Sequence, residues 1–217
     1  MKVANHEIKL AILDLDGTLI DSTGIWHQID INFFKKRGME IPEGYFDAIC
    51  HLGLKATATF TKNTYGIKES EEEIIKEWRN ASIYEYENNI ALKPYVIEFL
   101  DYLKENKVII TLATANDKEI YEPCMKRLGI FDYFDFIADV NSVKEGKHSP
   151  KIYESINSRY GIAKENTIVV EDIVTSLETA YKSGYITIGV DDFASRDTVE
   201  DKKKLSYIYI NSFKDLI

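Results

Sequence analysis

The amino-acid sequence predicts an α/β protein in which a parallel sheet is interrupted by a block of helices. From residue 94 onwards, apolar runs typical of buried strands alternate with amphipathic helical segments. One further apolar run, residues 8–13, lies near the N-terminus, and the roughly 70 residues after it show helical periodicity and no strand pattern. We therefore expect the first strand to join the later sheet and the helical block to be an insertion.

Composition narrows the class of protein. The chain has 217 residues, of which 45% are hydrophobic and 29% charged, as in ordinary globular proteins. Its formal charge of −9 argues against non-specific binding to nucleic acid or to an anionic membrane. No signal-type segment and no run of eighteen apolar residues occurs, so we expect a cytoplasmic protein without a membrane partner. Cys50 and Cys124 have no metal or redox spacing and are interpreted as small core residues.

The inserted block is predicted to form helices packed on one another. The first helix carries a stripe of apolar residues and ends near Gly38, and Pro42 opens a short second helix. Residues 54–65 and 71–88 complete the block. We expect its large aromatic residues to form its core rather than to stack on a substrate; they are Trp26, Phe33, Phe34 and Trp78.

The second half of the chain supplies the other strands. They are predicted at residues 108–112, 134–140, 167–170, 185–190 and, as an edge strand, 207–210. Ser149 and Pro150 are expected to act as the N-cap and first-turn proline of one intervening helix. The prediction is a Rossmann-like parallel sheet in a core domain of residues 1–22 and 90–217, with an inserted all-helical cap domain of residues 23–89.

Polar residues follow the ends of three predicted strands. Asp14 and Asp16 follow the first, Thr114 follows the second, and Glu171 and Asp172 end a third. Ligands of parallel sheets bind beyond the carboxyl ends of the strands. Asp14 and Asp16 project to the same side because strand side chains alternate, and a cation would relieve their repulsion. Carboxylates without a histidine or cysteine cluster favour Mg²⁺.

This set of residue types suits phosphoryl transfer. An ionised aspartate is a nucleophile at neutral pH without further activation, and a second carboxylate two residues later could move a proton to the leaving oxygen. The transferring group also needs hydrogen-bond donors for its oxygens, which Thr114 and a lysine could provide.

The chain resembles the haloacid dehalogenase-like hydrolases, in the branch with a helical cap inserted after the first motif. Asp14-Leu15-Asp16-Gly17-Thr18 matches the first motif. The resemblance implies that Asp14 is the nucleophile, that Asp16 is the general acid/base, and that Mg²⁺ is held by Asp14 and by the Asp16 position through its backbone carbonyl. It covers essentially the whole chain.

The remaining motifs are matched in order along the chain. Leu112-Ala113-Thr114-Ala115-Asn116 resembles the second motif, which implies phosphate binding by Thr114 with Ala115 and Asn116. Gly146-Lys147-His148-Ser149-Pro150 resembles the third and makes Lys147 the phosphate-binding ammonium. Val170-Glu171-Asp172 resembles the fourth, which implies that this segment holds the metal. Asp172 is the expected ligand, and for Glu171 contact through water is favoured over direct binding because Mg²⁺ keeps several waters.

The sequence departs from the family pattern at three places. His148 replaces a proline, and Lys151 stands where an aspartate often follows. After Asp172 the frequent Ser-x-x-Gly pattern is replaced by residues 173–176, so that Ile173 stands in the place of the serine. The missing serine removes one hydrogen bond that could support the metal site. No residue that would contact metal or phosphate is lost.

Several cap residues are candidates with simpler alternatives. Lys55 is a candidate substrate contact, and the alternative is a solvated helix charge. His27 and His51 are better interpreted as solvated or satisfied histidines than as ligands. Asp21, with Ser22, is interpreted as a helix cap at least as readily as a functional residue.

The hypothesis from sequence is a Mg²⁺-dependent phosphatase that hydrolyses a small phosphorylated metabolite through an aspartyl-phosphate. One alternative is a sugar-phosphate mutase of the β-phosphoglucomutase type, whose cap Gly-x-x-Arg element is only partly matched by Gly53-Leu54-Lys55. A second is a non-catalytic regulatory protein, which the intact set of motif residues disfavours. A dehalogenase needs neither the second aspartate nor Mg²⁺ and is disfavoured. Sequence alone specifies neither the substrate nor the oligomeric state.

Overall fold

The structure is a computed structural model that describes residues 1–3, 5–49 and 52–217. Its strands are β1 (Lys2–Val3), β2 (His6–Glu7), β3 (Leu10–Leu13), β4 (Ile109–Thr114), β5 (Phe136–Asp139), β6 (Thr167–Glu171), β7 (Ile186–Val190) and β8 (Ile208–Ile210). In the described residues, β3 to β8 form one sheet in the order β5-β4-β3-β6-β7-β8, and every pairing in it is parallel. The predicted α/β fold with a parallel sheet is confirmed.

The register of the sheet brings the predicted site residues together. Leu13, the last residue of β3, lies opposite Leu112 of β4 and Val170 of β6. The backbone N–H of Asp14 continues this ladder by donating to the carbonyl of Val170 at 3.0 Å. The carboxyl ends of β3, β4 and β6 therefore share one edge of the sheet.

Helices surround the sheet and form the inserted block. They are α1 (Thr23–Lys36), α2 (Tyr45–Ile49), α3 (Leu54–Tyr65), α4 (Glu71–Asn88), α5 (Val96–Glu105), α6 (Lys118–Arg127), α7 (Val140–Val143), α8 (Lys151–Tyr160), α9 (Val174–Lys182) and α10 (Val199–Lys204). None of the helices in the described part of the chain is both long and apolar enough to cross a membrane.

Both faces of the sheet are buried. Alternate residues of β3 point to opposite faces, so Ala11 and Leu13 pack in one apolar cluster and Leu10 and Ile12 in another. This arrangement explains why the strands are continuous apolar runs rather than alternating ones.

Helices α1 to α4 have a hydrophobic core of their own. Phe33, Phe34, Tyr45 and Trp78 are buried in it, which confirms that these aromatic residues pack inside the helical block. Ser70 and Glu73 form a capping box at the start of α4. The helical cap is thus present, while the domain boundaries at residues 23 and 89 stay a prediction.

Some element ends differ from the sequence predictions. The first sheet strand begins at Leu10 rather than residue 8. His6 and Glu7, just before it, form a separate antiparallel pairing with Val3 and Lys2. The strand predicted at 108–112 runs from 109 to 114. The short helix expected at Pro42 starts at Tyr45, after Gly44 with a φ of 72°. Pro150 occupies the N-cap position of α8 rather than its first turn.

Candidate active site

A buried ammonium joins two carboxylates at the carboxyl edge of the sheet. Lys147 Nζ donates to Asp14 Oδ1 and, at 2.7 Å, to Glu171 Oε1. Asp14 directly follows β3, and Glu171 ends the adjacent strand β6. All three side chains are buried, so their charges interact with little screening by water. The sequence placed Lys147 in a site with Asp14, and the geometry brings them into contact.

Three carboxylates surround this point and leave an excess of negative charge. Single oxygen atoms of Asp14, Glu171 and Asp172 lie within 4.8 Å of one another. Burial and the charge of Asp14 raise the pKa of Glu171 to about 7, and they also raise the pKa of Asp172 well above its usual range. Burial lowers the pKa of Lys147, but the charges of Asp14 and Glu171 outweigh it and hold the ammonium form.

This donor set fits a hard divalent cation. All of its ligand atoms are oxygens, and Glu171 Oε2 is buried without a hydrogen-bond partner among the described residues. Gly17 keeps the approach to Asp172 open, since a Cβ at Gly17 would lie 2.4 Å from Asp172 Oδ2. In the described residues the cluster does not include the carboxylate of Asp16.

Asp172 is held in place by Thr18 of the first predicted motif and by groups that lie outside all four motifs. Thr18 Oγ1 donates to Asp172 Oδ1 at 3.2 Å, and Ser195 Oγ donates to the backbone carbonyl of Asp172 at 3.2 Å. Buried Lys202 in turn donates to Ser195 Oγ at 3.0 Å. These contacts hold Asp172 without any hydrogen bond from residues 173–176, where the expected serine is replaced. Ser195 lies far from the motif in sequence, so nothing local pointed to it.

Asp16 occupies a different hydrogen-bonded position from Asp14. Its carboxylate accepts hydrogen bonds from Ser22 Oγ at 2.6 Å, from Asn116 Nδ2 at 3.2 Å, and from the hydroxyl of Tyr86. Burial and the nearby charge of Asp14 raise the pKa of Asp16, while these three hydrogen bonds oppose the rise. Ser22 stands at the N-cap of α1, where its side chain makes no capping bond and its hydroxyl donates to Asp16.

The Tyr86 contact connects the helical cap to the core. Tyr86 is fully buried near the end of α4, and its hydroxyl accepts a hydrogen bond from Trp26 Nε1 of α1 at 2.6 Å. Trp26 therefore does more than fill the cap core, the role that its apolar spacing predicted. Nothing in the sequence marks Tyr86 as a site residue, since one tyrosine in an amphipathic helix carries no local signal.

The predicted phosphate-binding loop follows β4. Thr114 is buried, and its Oγ1 accepts the backbone N–H of Asn116 at 3.0 Å, which leaves the hydroxyl proton available to an anion. Asn116 uses its side-chain nitrogen to hold Asp16. Ala115 and Asn116 both line the cavity described next.

A cavity of about 350 Å³ lies between the cap and the sheet edge. Asp16, Asn116 and Asp172 form part of its floor, and residues of helices α1 to α4 form its opposite wall. A volume of this size suits a small metabolite. Of the acidic cluster formed by Asp14, Glu171 and Asp172, Asp172 is the member that lines this space, next to Asp16.

The remaining candidate residues from the sequence lie in different environments, and most are outside the cavity. Lys55 is exposed on α3 and is not among the described residues that line the cavity. His27 does line it and stacks on Phe46 with ring centroids 3.8 Å apart, and burial lowers the pKa of His27. Asp21 is exposed and Cys124 is buried, whereas Cys50 and His51 lie outside the described residues.

Comparison with known proteins decides the family. The family model of haloacid dehalogenase-like hydrolases matches residues 8–184, which is most of the chain. The chain belongs to this hydrolase family. Its curated relatives are named phosphatases, and this hydrolase is accordingly of the phosphatase type.

Three similar proteins illustrate the range of the match. Phosphorylated carbohydrates phosphatase from Thermotoga maritima is 24% identical over 177 residues, covering 82% of each chain. Hexitol phosphatase B from Escherichia coli is 23% identical over 176 residues, covering 79% of this chain and 78% of the relative. The crystal structure of CbbY from Rhodobacter sphaeroides in complex with phosphate has a TM-score of 0.81 at 21% identity and covers 96% of both chains. This likeness confirms the fold.

Proposed function

We propose that the protein is a Mg²⁺-dependent phosphatase that hydrolyses the phosphate monoester of a small metabolite through an aspartyl-phosphate. The observation that carries the proposal is the arrangement of Asp14. Its carboxylate contacts the buried ammonium of Lys147 and lies among the oxygens of Glu171 and Asp172. Asp16 lies two residues away, at the floor of the cavity.

The proposed reaction divides into two transfers. A carboxylate oxygen of Asp14 bonds to phosphorus as the bond from phosphorus to the leaving oxygen breaks, and Asp16 gives that oxygen a proton. Asp16 then takes a proton from water, which attacks phosphorus and releases phosphate, so that Asp14 is regenerated. Lys147 and the Thr114 hydroxyl offset the charge on the transferring oxygens.

A divalent cation would be held by Asp14 and Asp172, with Glu171 behind them. It would supply additional positive charge for the phosphoryl oxygens. The chain's own contribution is to keep these carboxylates apart from Asp16, whose hydrogen bonds to Ser22, Tyr86 and Asn116 orient it toward the cavity. The raised pKa of Asp16 supports its proposed role, because a general acid must hold a proton before it can donate one.

The direct test is hydrolysis of p-nitrophenyl phosphate with and without Mg²⁺. We expect Asp14→Asn to abolish phosphate release and Asp16→Asn to lower kcat by roughly 10²–10⁴-fold. Asp132→Asn, an exposed aspartate outside the site, is the control. Full Mg²⁺-dependent activity in Asp14→Asn would overturn the mechanism. A folded wild-type protein that hydrolyses no phosphomonoester would favour the regulatory alternative.

A mutase of the β-phosphoglucomutase type would use the same core residues, so the cap distinguishes the two activities. In the mutase element Gly53-Leu54-Lys55, Lys55 would supply the positive charge. Lys55 is exposed and is not among the described residues that line the cavity, which favours the phosphatase. Incubation with β-glucose 1-phosphate and Mg²⁺ separates the alternatives. Isomerisation without net release of phosphate would support the mutase.

A further inference from the structure

The cap side of the cavity carries negative charge without a basic side chain to balance it. Among the described residues of the lining there is no lysine or arginine, whereas Asp30 of α1 and Asp47 of α2 both belong to it. His27 also lines the cavity, and burial lowers its pKa, which favours the neutral imidazole. A ligand group held against this wall therefore meets carboxylates and no cation from the described part of the chain.

Asp30 is a buried carboxylate without a partner among the described residues. The residue is 5% exposed, and no hydrogen bond or neighbouring charge offsets the burial that raises its pKa to about 7. It lines the cavity, and its carboxylate oxygens are not among the fully enclosed unpaired atoms of the described chain, so they keep surface toward that space. An ionised carboxylate in this position is costly until a ligand donates a hydrogen bond to it.

Aromatic side chains accompany this carboxylate. Trp26 precedes Asp30 by four residues, so the two side chains share a face of α1, and both line the cavity. Phe46 of α2 lines the same space. The face of an aromatic ring attracts a cation that lies within about 6 Å of its centre. A carboxylate together with aromatic rings suits an organic ammonium group, because the first offsets its charge and the second cover its carbon chain.

Charge distinguishes the ligand groups that this wall could hold. An anionic group would be repelled by Asp30 and Asp47. A hydroxyl could donate a hydrogen bond to Asp30, but it would leave the charge of the carboxylate uncompensated. An ammonium group donates hydrogen bonds and also supplies the opposite charge, and such charge-assisted hydrogen bonds are about twice as strong as neutral ones. The wall therefore favours an ammonium group over a hydroxyl.

We propose that the cap wall is an ammonium subsite, and that the substrate is a phosphate monoester whose leaving group carries a protonated amine bound by Asp30. The proposal rests on the phosphatase function above and narrows its substrate class. The phosphate lies at the core floor beside Asp16, and the amine reaches across the cavity to α1. Asp30 is then a specificity-determining residue that takes no part in the chemical step.

The test compares kcat/KM for alkyl phosphates that differ only at the far end of the leaving group. Chains of three lengths end in ammonium, hydroxyl or methyl, and the middle set is 4-aminobutyl, 4-hydroxybutyl and n-pentyl phosphate. At about pH 8 the amine is protonated and Asp30 is mostly ionised. At the best chain length, we expect the ammonium ester to exceed the methyl ester by about 10²-fold and the hydroxyl ester by about tenfold.

Asp30→Asn is the decisive variant, because the amide keeps the shape of the side chain and removes its charge. It should reduce the ratio of kcat/KM between the ammonium and methyl esters by about tenfold or more. Asp132→Asn, an exposed aspartate that is not in the cavity lining, should leave this ratio unchanged. Calorimetry on Asp14→Asn protein measures binding of the ammonium ester without turnover. Adding Asp30→Asn to that protein should weaken the binding by about tenfold.

The outcomes separate this inference from the proposed function. Equal kcat/KM for the ammonium and hydroxyl esters at every chain length would overturn the ammonium subsite. A preference for ammonium that Asp30→Asn leaves intact would overturn it too, because other carboxylates such as Asp47 would then bind the amine. Hydrolysis of p-nitrophenyl phosphate in either case would leave the phosphatase intact. If folded wild type hydrolysed no phosphomonoester, the proposed function would fall, and calorimetric binding that depends on Asp30 would still support the subsite.

Discussion

Gly17 shows how one residue sets the space for the acidic cluster. Its φ of +78° is in the left-handed region, and a Cβ there would lie 2.4 Å from Asp172 Oδ2. Gly17→Ala should therefore displace Asp172 and destabilise the fold by roughly 2–4 kcal/mol, measured by urea denaturation. It should also lower activity at saturating Mg²⁺ by at least about tenfold.

Gly44→Ala is the matched control for that change. Gly44 has a φ of +72°, but nothing lies within 4 Å of a Cβ placed on it. This variant should lose only about 1 kcal/mol from backbone strain and keep its activity. Equal losses of activity in both variants would contradict the role of Gly17 as the space beside Asp172.

Asp30 should make stability depend on pH. Its folded-state pKa of about 7 is above the ordinary value of 3.8, because burial disfavours the charged form. The folded chain therefore binds more protons at this residue than the unfolded chain between about pH 4 and pH 7, and its contribution to stability falls as pH rises through that range.

Asp30→Asn removes this titration. The variant should match the wild type near pH 4 and melt roughly 3–8 °C higher at pH 8, as recorded by differential scanning calorimetry. Asp132→Asn, an exposed aspartate, should show no such divergence with pH. A wild type that is the more stable protein at pH 8 would show that Asp30 has a stabilising partner.

At the level of elements, helix α4 connects the cap core to the catalytic floor. Its middle packs Trp78 in the cap, and its end brings the Tyr86 hydroxyl to Asp16. Tyr86→Phe removes one hydrogen bond to a charged group, which is worth about 1.5–3 kcal/mol. We expect kcat to fall about 10–100-fold with a small change in KM, as measured by steady-state kinetics.

Tyr84→Phe provides the comparison for Tyr86, because Tyr84 lies on the same helix but is 62% exposed. It should retain wild-type kcat. If Tyr86→Phe instead raised KM alone, the hydroxyl would serve substrate binding rather than the position of Asp16.

The helices and strands that could be predicted from the sequence are those whose apolar residues form either a continuous run or a helical stripe. Strands β4, β6 and β7 are continuous apolar runs, and residues 54–65 and 71–88 were predicted with the ends that the structure has. Parallel register then places polar residues at adjacent strand ends, so the meeting of Asp14 with Glu171 follows from the strands alone. These features can be predicted because the spacing of apolar residues and the position of a strand end both depend on a short stretch of sequence.

The rest of the site depends on how separate elements pack. Tyr86 reaches Asp16 across 70 positions, and Ser195 reaches Asp172 across 23, with no shared motif. Lys55, a candidate because related enzymes have cap residues facing the active site at this position, is exposed on α3 and stays a prediction. Asp30 had no place in the periodic apolar stripe of α1, and only its burial in the cavity wall marks it as unusual.

At the scale of the whole molecule, two arginines attach the cap to the core. Arg79 of α4 pairs with Asp117 at 2.6 Å and with Glu119 at 3.2 Å, both at the start of α6. Arg127, at the end of α6, donates to the carbonyls of Tyr86 and Ile90, where the chain leaves the cap. The Arg79 ion pairs join the cap to the core beside the cavity. The Arg127 hydrogen bonds hold the segment that leads from the end of α4 back to the sheet.

We expect Arg79→Gln to weaken the closed arrangement of cap and core. The ion pairs are partly exposed, so their loss should cost no more than about 1 kcal/mol and raise KM roughly two- to fivefold, with little effect on the melting temperature. Added salt should raise the wild-type KM toward that of the variant, because screening weakens the same contacts. Lys126→Gln breaks an exposed ion pair with Glu122 within α6 and should leave KM unchanged. An unaltered, salt-independent KM in Arg79→Gln would mean that these pairs do not hold the cap over the substrate.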